Sequence, residues 1–529
     1  MDPVVAALGF GLVLAVVLWG VFGQDSLDST TGTALTWVID NFGWLFVVAA
    51  DVFLLLAVYL ALSRFGRIRL GRDDEEPEFG TLAWVAMMFS AGMGIGLMFY
   101  AVAEPIQHFA APPPGSGVSA GTGGAAGAAM QYTLFHWTLH PWAIYAVAGL
   151  ALAYATFRMG RGNRVSSAFV PLLGERANGR PGQAIDLLAI FATVFGSATS
   201  LGLGALQVAK GLNLTMDVKD TESLEVVIIC ALTAAFVVSA FSGIHRGVKW
   251  LSTANVVLAV LLMVFVFVVG PTVYILGVLP SSVGNYFQNL TTMATRTGAF
   301  IGTEWLGTWT IFYWAWWLSW APFVGTFIAR ISRGRTVREF LVGVLLVPSG
   351  ASTVWFAVMG GSALRIQQTG EADLVAKTAE GPESALFAML DAMPLYGLTA
   401  TVAMVLVALY FVTGADSASL VLGSLTSNGS LKPPSWIVVI WGVLIGAVAS
   451  VLLLAGGLES LQQATILVAL PFVVVMMALC VALVKELRDD PAAKHERRRS
   501  RPRGLFEAVR VTVGEDAEPE TYDRRHGGI

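Results

Sequence analysis

Wound as a helix, the stretch from Trp309 to Trp320 places Trp309, Tyr313, Trp316, Trp317 and Trp320 within an arc of about 100°, while Trp314 points roughly the other way. Tryptophan belts in membrane proteins gather at the two interfaces, but this stripe extends over about 16 Å, so much of it belongs at mid-depth. A second aromatic group lies in "FHWTLHPWAIY" (Phe135–Tyr145). There Trp137, Tyr145 and Trp142 stand at about 0°, 80° and 140°, with Pro141 expected to distort the helix. Two such surfaces suit a cation that has no N–H to donate. A quaternary ammonium gains only charge attraction from carboxylates, whereas ring faces match its diffuse positive shell at ~0.5–2 kcal/mol per ring. Plain aromatic packing between helices is the competing explanation.

Three further groups have chemical potential. Gly92, Gly94 and Gly96 interrupt the apolar run "AGMGIGLMFY". They do not share a helical face, so a small-residue packing seam explains them poorly and a helix break is expected. Broken helices at that depth supply carbonyls for ions and amides for carboxylates. "VTGADSAS" (Val412–Ser419) puts Asp416 inside an apolar span, with Thr413, Ser417 and Ser419 as hard oxygens of the kind Na⁺ accepts. Thr193 and Ser197 offer another i, i+4 hydroxyl pair, although such hydroxyls commonly bond their own backbone. His136 and His140 share metal-ligand spacing, but with neither an HExxH glutamate nor a cysteine nearby, packing or a helix-to-helix hydrogen bond is the expected role. No nucleophile–base set, Walker sequence or dinucleotide fingerprint stands out, so neither an enzyme nor an ATP-driven pump is expected.

The elements that position these residues follow from composition. The 529 residues are 56% hydrophobic and 13% charged, with a mean hydropathy of +0.70. Such a chain belongs in a bilayer. About twelve apolar stretches are long enough to span it, near 3–23, 42–63, 79–103, 129–157, 184–212, 223–243, 249–279, 304–329, 339–364, 396–424, 434–455 and 461–484. The first lacks a basic leader and reads as a span rather than a signal peptide. With the amino terminus inside, sixteen lysines and arginines fall in inner loops before the tail and five in outer ones, which puts both termini in the cytoplasm. The net charge of −4 says little about partners, and no nucleic acid is expected. Cys230 and Cys480 lie in apolar runs, where neither a disulfide nor a metal site is expected.

Residues 64–78 form a charged inner loop and 105–128 an outer loop rich in Pro, Gly and Ala. The mixed segments 283–297 and 384–395 are too short to span and are expected at the interface or over an outer vestibule. The tail carries "KHERRRSRPR", which either meets anionic headgroups or merely enforces topology.

Together, "MFSAGMGIGLMFYAVAEP", "FHWTLHPWAIY", "GTWTIFYWAWWLSWAPFVGTFIARISRGR" and "VTGADSAS" resemble the betaine/choline/carnitine transporter (BCCT) family over residues 1–485. The resemblance implies an all-α integral membrane protein of twelve transmembrane helices with an inverted five-plus-five repeat, as in the sodium-coupled amino-acid transporter (LeuT-like) fold. Its parts would be 1–78 (two leading helices and an inner loop), 79–279 (first repeat), 280–485 (interfacial segment and second repeat) and 486–529 (cytoplasmic tail). It also implies a homotrimer in a bacterial or archaeal cytoplasmic membrane. By position, Trp137, Trp142, Tyr145 and Trp317 resemble the family's aromatic box, with Trp316 and Trp320 as inner neighbours on the exit path. Met93, Gly94 and Gly96 are similar to the unwound segment that meets substrate and ion. Ion ligands would correspond to Ser90, Met93, Tyr410 and Thr413, and in a second site to Thr193, Ser197 and Phe323. Arg497, Arg498 and Arg499 would be the regulatory tail cluster.

Gly96 stands where proton-coupled choline carriers tend to have aspartate, which favours Na⁺-coupled uptake of a zwitterion, glycine betaine above all, with no cofactor besides the ion. Gly414 departs from the serine usual in sodium-coupled members, so one hydroxyl ligand of an inner sodium site is missing. The alternatives are a proton-coupled or exchange carrier of choline, carnitine or a related onium solute, and, from another class, a transport-inactive solute sensor.

Overall fold

A computed structural model describes residues 2–92, 94–241 and 245–494. Met93 and the tail cluster Arg497, Arg498 and Arg499 lie outside the described residues, as does the side chain of Ser90. The described chain is helical, with no strand and a single isolated bridge between Arg69 and Thr336. Eight of its helices are long and apolar enough to cross a membrane.

The chain opens with α1 (Pro3–Phe22) and α2 (Gln24–Leu62). The second is 39 residues long and starts well before the span expected at 42, because the polar stretch from Gln24 onward continues the helix beyond the apolar core. Next come α3 (Thr81–Gly92) and α4 (Ile95–Ala110), separated at the glycine segment as its composition predicts. The helices α5 (Gly123–Trp137) and α6 (Leu139–Ala153) meet at Thr138, whose φ of −118° and ψ of −114° are not helical. Pro141 accounts for this break, since a proline ring clashes with the carbonyl four residues earlier, that of Trp137.

Beyond lie α7 (Arg180–Met216), α8 (Glu222–Phe241) and α9 (His245–Val269). The span expected over 249–279 ends at Val269, where Gly270 and Pro271 stop the helix, and α10 (Thr272–Ala294) begins separately, carrying most of the mixed-polarity segment. A π turn at Gly307–Ile311 leads into α11 (Phe312–Ile331), followed by α12 (Val337–Thr369), α13 (Tyr396–Thr426) and α14 (Ser435–Asp489). Gly456 and Gly457 break α14 into two helices, as the apolar pattern around 455–461 predicts. The second outer segment folds as the short helix Ala385–Asp391.

The core is formed where α7, α11 and α13 pack with α4, α6 and α14. One end of the bundle is held by ion pairs. Arg330 and Arg333 reach Glu78 and Glu75 at 2.7 and 2.6 Å, and Arg158 reaches Asp490 and Asp73 at 2.8 and 2.6 Å. We call this the basic end.

Candidate functional site

The break at Thr138 and the winding of α11 bring the two aromatic groups face to face. Trp137, Trp142, Tyr145, Trp316, Trp317 and Trp320 line one cavity of about 480 Å³, together with Gly94, Gly96, Leu97, Pro141 and Ser352. Trp137 meets Trp317 edge to face at 5.0 Å, Tyr145 closes on Trp317 at 6.2 Å, and Trp142 stands 5.4 Å from Tyr145. Trp316 stacks on Trp317 at 5.1 Å and 14°. The six residues expected to form the box and its inner neighbours therefore converge, whereas Trp309 and Tyr313 of the same stripe, and Trp314, do not line the cavity. Trp314 is buried against α5 and α6, stacked on His140 at 5.4 Å and edge-on to Phe135 at 5.1 Å.

Polar groups around the rings are mostly turned outward from the cavity. The indole N–H of Trp317 donates to the His136 carbonyl at 3.0 Å, one of those near the α5–α6 break. Trp320 donates to the Gly196 carbonyl at 2.9 Å, Trp316 to the Ser200 hydroxyl at 3.2 Å and Trp137 to the Glu104 carboxylate at 2.7 Å. With their donors satisfied by protein, these four indoles line the cavity as aromatic surface without a free N–H. That arrangement fits an onium group, which has no hydrogen bond to make.

A different chemistry faces the other wall. Gly94 caps α4 without a side-chain hydrogen bond, and both Gly94 and Gly96 line the cavity. A helix start favours an anion such as a carboxylate. The Tyr145 hydroxyl is buried and has no hydrogen-bond partner among the described residues. Gly96 must be glycine here, since a Cβ would meet Cη2 of Trp316 at 2.5 Å and of Trp137 at 2.9 Å.

Toward the basic end the cage adjoins a cavity of about 1150 Å³ that shares Gly94 and Trp320 with it. Ser197, Phe323, Tyr410 and Thr413, four of the expected ion ligands, line it with Gly414 and Ser417. Thr193 is not among its lining residues, being buried with its hydroxyl on the Ala189 carbonyl at 2.8 Å. Thr413 likewise donates to its own backbone, to the Leu409 carbonyl at 2.8 Å. It also accepts from the side-chain Nδ2 of Asn255 at 3.2 Å, while the side-chain Oδ1 of Asn255 is buried and unpaired among the described residues.

Toward the opposite end the cage is closed. Tyr100 packs on Trp137 at 6.1 Å, Tyr313 at 5.4 Å and Trp316 at 6.1 Å, and its hydroxyl accepts from Gln462 at 3.2 Å. Beyond this plug an open pocket carries Asp40, Glu304 and Glu459.

The two histidines part company, His136 going to Glu104 at 2.7 Å and His140 to Asp51 at 3.1 Å, so they form no pair of ligands. Glu104, Asn255 and Ser352 were not singled out in the sequence. For Glu104 the signal was present, since a lone acid in the apolar run "FYAVAEP" is a functional candidate by default. Asn255 and Ser352 carry no comparable signal.

The sequence pattern of the betaine/carnitine/choline family transporters (BCCT) matches residues 4–492. The chain is 47% identical over 481 residues to the glycine betaine transporter OpuD of Bacillus subtilis, covering 90% of this chain and 93% of that protein. It is 43% identical to a probable glycine betaine transporter of Desulfitobacterium hafniense, covering 90% and 96%. It is 40% identical to the betaine/ectoine transporter LcoP of Corynebacterium glutamicum, covering 94% and 79%. The chain is thus a multi-pass membrane transporter and not an enzyme, and it belongs to the betaine/carnitine/choline transporter family.

Proposed function

We propose that the chain takes up a trimethylammonium zwitterion, glycine betaine first, by Na⁺ symport with alternating access. The observation that carries the substrate is the cage, where four indoles spend their N–H groups on protein acceptors and line the cavity without a free donor. The onium group would sit among Trp137, Trp142, Tyr145 and Trp317, and its carboxylate would lie toward the start of α4 and the Tyr145 hydroxyl. Trp316 and Trp320 would line the way out toward the basic end.

Na⁺ is supported by the hard oxygens beside the cage. Tyr410 and Thr413, with Ser90 and Met93, would form one site, and Ser197 and Phe323, with Thr193, another. The unpaired side-chain Oδ1 of Asn255 beside Thr413 would offer the oxygen that Gly414 lacks. A cavity extending from the cage toward the basic end, with the other side plugged by Tyr100, suits an inward-facing member of an alternating-access cycle. In this reading α3–α4 and α5–α6 each form one broken span and α14 forms two, which with α1, α2, α7, α8, α9, α11, α12 and α13 makes twelve spans, with an inverted repeat over 79–279 and 280–485 after two leading helices in 1–78. The basic end faces the cytoplasm of a bacterial or archaeal cell. A homotrimer, and a tail over 486–529 that answers anionic lipid through Arg497–Arg499, complete it.

Uptake of labelled glycine betaine into carrier-deficient cells, with and without an inward Na⁺ gradient and with choline as competitor, tests this. Sodium-dependent uptake that choline barely inhibits is expected, and no betaine uptake would overturn it. Gly414 motivates a second reading, proton coupling or exchange of choline, carnitine or a related solute, which uptake indifferent to Na⁺ would favour.

A further inference from the structure

Behind the cage, on the side away from the cavity, Glu104 is fully buried. Its Oε2 accepts from the Trp137 indole at 2.7 Å and from the Tyr313 hydroxyl at 2.6 Å, and its Oε1 meets His136 Nδ1 at 2.7 Å. His108 Nε2 is a further 3.4 Å neighbour of Oε1, and the other ring nitrogen of His136 meets the Thr310 hydroxyl at 3.0 Å. An indole N–H can only donate, so Trp137 fixes Oε2 as an acceptor, and the simplest pattern has three donors converging on an ionised carboxylate. The ligand atoms of Glu104, His108 and His136 lie within 4.8 Å of one another, a spacing a metal ion would also use. Both carboxylate oxygens, however, are already taken by short hydrogen bonds from side chains that serve the cage.

Those bonds have an electronic consequence. Attraction between a cation and a ring arises from the negative charge on the ring's face. A carboxylate accepting from the indole nitrogen pushes electron density into the ring, and a buried charge acts through a low dielectric. The sequence places this acid one helix away from Trp137, so only the fold joins them.

We propose that Glu104 is a specificity-determining positioning residue. It orients Trp137 and charges its π face, so that the cage selects a cationic head over a neutral one of the same shape. This rests on the onium reading of the cage. Glu104 touches no substrate and acts through Trp137.

The test compares glycine betaine with 3,3-dimethylbutanoate, which carries a neutral tert-butyl group in place of trimethylammonium and keeps the carboxylate. Binding of both is measured on the purified full chain, wild type and Glu104→Gln. Wild type is expected to prefer betaine, and Glu104→Gln to weaken betaine about tenfold while changing the neutral isostere less than about threefold. A purely structural role would weaken both alike, and an unchanged preference in a folded Glu104→Gln overturns the proposal. Tyr313→Phe removes one competing donor from Oε2 and only a hydroxyl from the protein, and it carries the test if Glu104→Gln does not fold. It should raise the preference for betaine about twofold by leaving more carboxylate charge to Trp137, and an equal or lower preference overturns the proposal. Failure of wild type to bind betaine at all would instead remove the onium reading on which this stands.

Discussion

Trp317→Leu, set against Trp314→Leu, tests the cage most directly, because neighbours in sequence have opposite duties. Trp317 lines the cavity, stacks on Trp316 at 5.1 Å and meets Trp137 edge to face at 5.0 Å. Losing its indole removes one ring from the onium shell, ~0.5–2 kcal/mol, and slackens the orientation of two others. A net loss of roughly 1–2 kcal/mol raises the betaine dissociation constant about five- to thirtyfold. Trp314 is 1% exposed and touches His140 and Phe135 instead. Its replacement opens a cavity costing ~2–3 kcal/mol of stability, so less folded protein is expected, but the folded fraction should bind betaine as wild type does. Titration of purified, monodisperse protein with betaine, alongside thermal unfolding, separates the two effects. Trp317→Phe, which keeps a ring face, should fall between wild type and Trp317→Leu. Equal binding constants for Trp317→Leu and wild type, or equal losses for the two leucine variants, would refute the cage as drawn.

Gly96→Ala should weaken betaine binding by more than about tenfold, because its Cβ must displace the Trp316 and Trp137 rings that lie 2.5 and 2.9 Å from it; titration with betaine measures this. At Gly414 a Cβ meets nothing within 4 Å, so Gly414→Ser should fold normally and lower the Na⁺ concentration for half-maximal uptake. An unchanged Na⁺ dependence would argue against an ion at Thr413. Tyr145→Phe should leave the melting temperature in place and weaken betaine about three- to tenfold, as expected for loss of one hydrogen bond to a carboxylate. At the basic end, burial raises the Asp490 carboxyl but hydrogen bonds from Arg158 and Tyr154 outweigh it, leaving the group below its ordinary 3.8. A lowered carboxyl contributes stability above its unfolded value and loses it as pH falls through the folded one. The destabilisation caused by Arg158→Ala should therefore be constant from neutral pH to about 4.5 and shrink only below about 4, as thermal unfolding across pH would record.

Much of this protein is legible in its residues because the signals are local. Apolar run lengths predict membrane helices, since the bilayer rather than a partner helix sets the length. The position of each indole around α11 follows from helical winding, and it correctly separates Trp314 from Trp316 and Trp317. The glycines around Gly94 mark a break through backbone preference, and the lapse of the apolar pattern around 455–461 marks the one at Gly456 and Gly457. Helix ends are less legible. The stop at Gly270–Pro271 and the outward extension of α2 lie where hydropathy and backbone preference disagree.

What the sequence could not decide is which group meets which across helices. Pro141 warned of a distortion, but only the packed structure shows that the break frees α5 and α6 to present Trp137 and Tyr145 to one cavity. Trp320 reaches Gly196, 124 residues away, and Trp317 reaches His136, 181 residues away. Glu104 finds Tyr313 across 209 residues. Such partnerships depend on helix rotation and crossing, set by the packing of every neighbour together, and they carry no periodicity within either segment. The sequence by itself determined a membrane protein with aromatic faces suited to an onium ion, because residue type and helical spacing are local properties. Only the tertiary structure turned the indole donors away from the cavity and set a buried carboxylate behind one of them, because hydrogen-bond partners are chosen by where distant helices come to rest.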